Sequence, residues 1–181
     1  MRVIAGKARR INLITAKGLD TRPTTDRIKE TLFNMINPII IDAMFLDLYS
    51  GSGAIAIEAL SRGAKHATLV ENAVEAIKCI KSNLKATKLE DEAELVTKSL
   101  PHALDSLTAC YDIVFMDPPY KLESENDILA KLKDNKLVNE ESLIIIEADL
   151  NRDFEFVEKL GYQITKEKKY KTNKHVFLRL A

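Results

Sequence analysis

Tryptophan is absent from this chain, and cysteine nearly so. Its two thiols, Cys79 and Cys110, form no C-x-x-C pair. This excludes a disulfide scaffold and leaves reduced, buried, inert thiols in a cytoplasmic protein as the simplest expectation. No run of eighteen apolar residues exists, which excludes a membrane-spanning helix. The opening residues MRVIAGK hold no apolar stretch of the signal-peptide kind. Internal repeats and low-complexity tracts are missing too. Net charge is zero, so the surface is not uniformly basic. What the chain does have is 181 residues at 46% hydrophobic, enough for one well-cored domain.

Its charges are unevenly placed. Residues 1–30 carry eight Lys/Arg against three acids, and residues 166–181 carry six against one, so each end is +5 and the middle is −10. Two basic ends on an acidic body either set a positive patch beside a site or form two solvated tails.

Residues 1–23 are basic and weakly periodic, with short strand-like pieces at 2–5 and 11–14. Pro23-Thr24-Thr25-Asp26 opens a helix with a capping threonine and an acid at the positive end. Ile28, Leu32, Met35 and Ile36 continue it, and Asn37-Pro38 is expected to end it. We therefore divide the chain into a small basic N-terminal extension with its helix, residues 1–37, and a catalytic domain, residues 38–181.

From residue 43 the pattern alternates. Apolar strands are expected at 43–48, 67–70, 95–96, 111–116 and 143–146. Helical stretches fall between them at 54–61, 74–84, 101–107 and 128–132. A helix at 152–160 and strands at 162–170 and 175–180 close the chain. Repeated β-α units imply an α/β, doubly wound, mostly parallel sheet. The last two strands have no long helix between them, so a C-terminal antiparallel hairpin completes seven strands.

Asp47-Leu-Tyr-Ser-Gly51-Ser-Gly53 sits at the end of the first strong strand. Its glycines permit a sharp turn and close backbone approach to a ligand. Glu71, twenty positions past Gly51, ends the next strand, where a carboxylate can accept both hydroxyls of a ribose. The pattern also fits a dinucleotide site. Asp47 favours S-adenosylmethionine, because a carboxylate there binds an ammonium group and repels a pyrophosphate.

Asp117-Pro118-Pro119-Tyr120 directly follows the fourth strand. Two prolines stiffen the backbone and remove two N–H donors, so the segment presents acceptors. A planar exocyclic amine offers two hydrogens. Asp117 can accept one and the Pro118 carbonyl the other, directing the nitrogen lone pair at a methyl carbon. Tyr120 can stack on the base.

Three stretches resemble a known family, the RsmD-type 16S rRNA guanine-N2 methyltransferases. They are the opening MRVIAGK, the segment Arg22-Pro-Thr-Thr-Asp-Arg-Ile-Lys-Glu-Thr-Leu-Phe-Asn34, and Leu46–Gly53 continuing into Glu58–Ala64; Asp117–Tyr120 completes the pattern. Segment 22–34 carries the rRNA assignment, since the tetrapeptide is shared with many amino-methyltransferases. The resemblance implies a Rossmann-like class I fold. It implies S-adenosylmethionine held by Asp47, Tyr49, Ser50, Gly51, Ser52, Gly53, Glu71 and Asn72, with Asp117 alongside. It implies a guanine of small-subunit rRNA as target, in the subunit or an assembly intermediate, and a cytoplasmic monomer. Related enzymes place an acid or amide after the third strand to hold adenine. Here Ser99 and Leu100 stand there, so that contact passes to their backbone.

The expected chemistry is direct displacement without a metal, and His66, His102 and His175 show no ligand spacing. Positioning of two bound substrates should supply most of the rate. Arg9, Arg10, Arg22, Thr24 and Arg27 are the candidate RNA contacts, Arg because its fork matches phosphate oxygens. Three rivals remain: a DNA-adenine or protein-amide methyltransferase, an NAD-dependent oxidoreductase, and a non-catalytic RNA-binding module.

Overall fold

The computed structural model describes residues 1–15, 26–119 and 124–181. Arg22, Thr24 and Tyr120 lie outside the described residues. The strands are β1 (Met44–Leu48), β2 (His66–Val70), β3 (Ala93–Val96), β4 (Ile113–Met116), β5 (Leu143–Asp149), β6 (Tyr162–Lys169) and β7 (Asn173–Leu180). The helices are α1 (Asp26–Ile40), α2 (Ala54–Ser61), α3 (Val74–Thr87), α4 (Glu125–Asp134) and α5 (Phe156–Lys159).

One seven-stranded sheet runs β3-β2-β1-β4-β5-β7-β6. Strands β1 to β5 are mutually parallel, while β7 is antiparallel to both β5 and β6. The chain winds outward from β1 through β2 to β3, then returns to β4 on the other side of β1. That reversal leaves a crevice beyond the carboxyl ends of β1 and β4, the general ligand position in such sheets.

Both faces of the sheet are covered, so β1 and β4 read as nearly continuous apolar runs. On one face Leu32, Phe33 and Ile36 of α1, Ile57 and Leu60 of α2, and Ile80 of α3 pack over Phe45, Phe115 and Ile145. On the other, Ile128, Leu129 and Leu132 of α4 and Val157 of α5 pack over Leu46, Val114 and Ile146. Edge strand β6 is mostly exposed and carries Lys166, Lys168 and Lys169. Much of the C-terminal basic run therefore lies along a sheet edge, where charge discourages pairing with another chain.

Several local expectations are corrected. Helix α1 does not stop at Asn37-Pro38; Pro38 lies inside it and the helix reaches Ile40. Ile36 and Ile40 share a buried face, and their burial offsets one lost hydrogen bond close to the end. The stretch 152–160 is helical only from Phe156 to Lys159, because Asp149 and Asp153 accept the backbone N–H groups of Asn151 and Glu155 and hold turns instead. The pieces at 2–5 and 11–14 form a single antiparallel bridge, Arg2 to Asn12. Cys79 is buried as expected, but Cys110 is exposed.

The N-terminal segment is anchored on α2. Glu58 is wholly buried and accepts the N–H groups of Ile4 at 2.8 Å and Ala5 at 3.0 Å. It also pairs with Arg62 at 2.8 Å and with buried Lys29 at 3.3 Å. Burial pushes the Lys29 ammonium below its ordinary range, against the pull of Glu58. Gly6 packs so closely on Ser61 that an added Cβ would sit 1.7 Å from its carbonyl oxygen.

Candidate active site

The register Leu48↔Met116 places the ends of β1 and β4 side by side. The glycine turn and the Asp117 segment therefore meet, and the Asp117 N–H faces the Leu48 carbonyl at 3.4 Å. Ser50 fastens the turn, its hydroxyl donating to the Asp47 carbonyl at 2.7 Å and its N–H to Val70. Tyr49, Gly51 and Gly53 all have positive φ, at 61°, 54° and 75°. Tyr49 holds that conformation without glycine's freedom; its hydroxyl is 2.8 Å from the Ser124 hydroxyl at the start of α4.

A Cβ added at Gly51 would meet no atom within 4 Å, whereas one at Gly53 would touch Leu69 at 3.0 Å and Ile80 at 3.3 Å. Gly53 thus serves helix packing, while Gly51 borders open space that a ligand can enter. Glu71 closes the far side. Its carboxylate accepts the N–H groups of Gly51 at 2.8 Å, Asn72 at 2.9 Å and Ala73 at 2.9 Å. It thereby links the ends of β1 and β2 and faces the start of α3. Asn72 is exposed beside it, and Ser52 and Gly51 are half-buried.

Asp47 is 1% exposed, and its carboxylate accepts the Ala56 N–H at 3.1 Å. Burial, and then the nearby Glu71 charge, push its pKa up to about 8. Asp117 keeps a partial opening to solvent but is otherwise surrounded by protein. Burial, then the charges of Glu147 and Asp47, raise it to about 8 as well. Two neighbouring carboxyls that resist ionisation form a site that welcomes a cation or hydrogen-bond donors. Pro118 is buried and Pro119 exposed. Ser99 and Leu100 lie beyond the end of β3, with the Ser99 carbonyl accepting the Ala103 N–H at 2.9 Å.

Two features escaped the sequence reading. Asn83 of α3, 2% exposed, donates to the carbonyls of Ile14 and Ser52 at 2.9 Å each and accepts the Ile14 N–H. It ties the N-terminal segment to the glycine turn. Nothing in the spacing of α3 marks an asparagine for that task. The second is a buried polar cluster beside Asp117. Glu147 accepts from Asn173 Nδ2 at 2.6 Å and lies 3.2 Å from His175 Nε2, while His175 Nδ1 lies 3.1 Å from the Tyr170 hydroxyl. Glu147 had a signal: it follows the apolar run Leu143–Ile146, as Glu71 and Asp117 follow theirs.

His175 is therefore a satisfied interior histidine. Among the described residues, no group of three or more His, Cys, Asp or Glu is placed to hold a metal. Arg9, Arg10 and Arg27 are exposed. Asp26 pairs with Arg2 at 3.2 Å. No helix among the described residues is long and apolar enough to cross a membrane.

The chain matches the family described as Conserved hypothetical protein 95 over residues 1–179. It is 37% identical over 150 residues to Ribosomal RNA small subunit methyltransferase D of Escherichia coli, covering 83% of this chain and 75% of that protein. The same-named protein of Haemophilus influenzae is 35% identical over 160 residues, with 84% and 80% covered. The solved structure of Escherichia coli yhhF superposes with a TM-score of 0.88 at 33% identity, covering 99% of this chain and 97% of that one. The architecture is the Rossmann-like class I methyltransferase fold, and the chain belongs to the Conserved hypothetical protein 95 family, which it shares with small-subunit ribosomal RNA methyltransferases D.

Proposed function

We propose that this protein transfers a methyl group from S-adenosylmethionine to the exocyclic N2 amine of a guanine in small-subunit ribosomal RNA. The observation that carries the reading is the meeting, at the sheet's reversal, of a ligand-ready turn and an acceptor-only segment. Gly51 borders open space next to the Glu71 carboxylate, and Asp117-Pro118-Pro119 emerges alongside. Relatives at 35–37% identity named for small-subunit ribosomal RNA support the substrate.

Asp47, Tyr49, Ser50, Gly51, Ser52, Gly53, Glu71 and Asn72 would hold the methyl donor, with Ser99 and Leu100 toward its adenine. When bound, it supplies an electrophilic methyl on a sulfonium. Asp117 and the Pro118 carbonyl accept the two amine hydrogens and aim the lone pair, and Tyr120 stacks on the base. Asp117 also stabilises the positive charge that develops on nitrogen. Arg9, Arg10, Arg22, Thr24 and Arg27 hold RNA. The protein works as a cytoplasmic monomer on the small subunit or an assembly intermediate.

Incubation with labelled methyl donor and, separately, small-subunit particles, naked rRNA and DNA tests this. Label mapped to guanine N2 of the rRNA is expected. Label on DNA adenine or on a protein amide would replace the substrate, and no transfer with tight NAD binding would end the reading.

A further inference from the structure

Methylating an amine releases a proton, and the acceptor-rich site holds it in a poor place to leave from. As the nitrogen gains its methyl and the sulfonium becomes a neutral thioether, nitrogen carries one positive charge. It sheds one proton to the Asp117 carboxylate, which must then be emptied before the next turnover.

We propose that Glu147, His175 and Tyr170 form the path by which that proton leaves Asp117, an inference that rests on the amine-methylation reading above. The sheet register builds the path. Met116 pairs with Ile146, and Glu147 pairs with His175. One step past Met116, Asp117 falls alongside Glu147, and residues in such a row share one face of the sheet. Glu147 meets His175 Nε2 at 3.2 Å, and His175 Nδ1 meets the Tyr170 hydroxyl at 3.1 Å. Tyr170 is half-buried at the hairpin turn, so the chain of contacts runs from the interior to solvent.

The protons balance. Asp117 passes its proton to Glu147. With His175 protonated on Nδ1, the free Nε2 takes the proton from Glu147. The Tyr170 oxygen takes the Nδ1 proton while its own hydroxyl hydrogen goes to water. One proton enters at Asp117 and one leaves at Tyr170; the ring is left protonated on Nε2, and its return to the Nδ1 tautomer completes the cycle.

The cluster is costly for a purely structural one. His175 is 0% exposed and Glu147 is 5% exposed. Asn173 donates to Glu147 at 2.6 Å while its own Oδ1 is buried without a partner. Among the described residues, the titratable groups around Asp117 are Asp47 from β1 and Glu147 from β5. His175 from β7 and Tyr170 from the turn lie behind Glu147, and Glu71 acts on Asp47.

The test measures kcat and KM for both substrates from pH 6 to 10 in wild type, Tyr170→Phe and Glu147→Gln. Tyr170→Phe should lower kcat several-fold with both KM values unchanged. Glu147→Gln cannot relay a proton, so its plateau kcat should fall several-fold as well, and removing the negative charge beside Asp117 should move the rising limb of kcat to lower pH. Wild-type kcat and pH profile in Tyr170→Phe would overturn the path. So would a raised KM together with a lowered kcat and Tm, which marks a structural role. If Glu147→Gln does not fold, Tyr170→Phe decides alone, since its ring is kept. Mapping the wild-type product separates the two readings. A product methylated on carbon or oxygen sinks the amine reading and the path with it, whereas a normal N-methyl product made at full rate by the variants sinks only the path.

Discussion

Glu58→Ala is the perturbation whose size the structure best defines. The carboxylate is 0% exposed and serves two backbone N–H groups, Arg62 and Lys29. Its removal leaves the Lys29 ammonium, also 0% exposed, donating to the Arg2 carbonyl at 2.6 Å but without its carboxylate partner. Breaking a buried pair by deleting one partner costs about 3–5 kcal/mol, a large share of the roughly 5–15 kcal/mol that holds a domain together. The loss should depend on pH in a definite direction. Folding already holds the Lys29 pKa below its ordinary value, and the variant lowers it further. Between that depressed value and the unfolded value of 10.5, the unfolded chain binds more protons, so stability rises with pH. The deficit of Glu58→Ala should therefore shrink as Lys29 deprotonates. Urea unfolding at pH 7 and pH 9.5 measures it, with Lys29→Met/Glu58→Leu as the comparison. That apolar pair should recover most of the loss, because both desolvation penalties vanish. A deficit below about 1 kcal/mol at pH 7, or one that grows with pH, would refute the reasoning.

Gly51→Ala should fold with a loss of about 1 kcal/mol from its positive φ, because its Cβ meets open space. Calorimetry should nevertheless show weakened S-adenosylmethionine binding, more so for Gly51→Val; undiminished affinity would move the ligand elsewhere. Asp117→Ala should remove most turnover while leaving methyl-donor affinity within a few fold, and Asp117→Asn should fall between, with an amide oxygen still accepting one hydrogen. Single-turnover rates and calorimetry separate the two effects, and near-normal rates in both variants would make the tetrapeptide structural. Replacing Arg9 and Arg10 with Ala should weaken RNA binding and reduce the log-log salt slope by roughly one unit per lost phosphate contact. Parallel salt lines at equal affinity would exclude this pair from the RNA surface.

Local rules carried much of the architecture. Apolar runs placed β1, β2, β4 and β5, because a strand buried on both faces leaves little room for polar residues, while half-exposed edge strand β3 showed only its end, Leu95 and Val96. Asp47, Glu71 and Asp117 stood out because each interrupts or ends such a run, and the crevice between β1 and β4 follows from the winding order. Local rules failed where long-range packing overrode them: Pro38 was carried into α1 by the burial of Ile36 and Ile40, and residues 152–155 were turned by aspartate side chains. Pairings across the chain had no local trace at all. Glu58 and Lys29 look like ordinary surface charges of two helices, and only folding seals them together over the N-terminal segment. Asn83 is an unremarked helix residue until Ile14 and Ser52 arrive on either side of it. Likewise Glu147 of β5, Tyr170 of the hairpin turn and His175 of β7 stand apart in the chain, and the parallel β4–β5 and antiparallel β5–β7 registers together line them up behind Asp117. A carboxylate's chemistry depends on which charges and dipoles surround it once water is excluded, and that neighbourhood is a property of the folded chain.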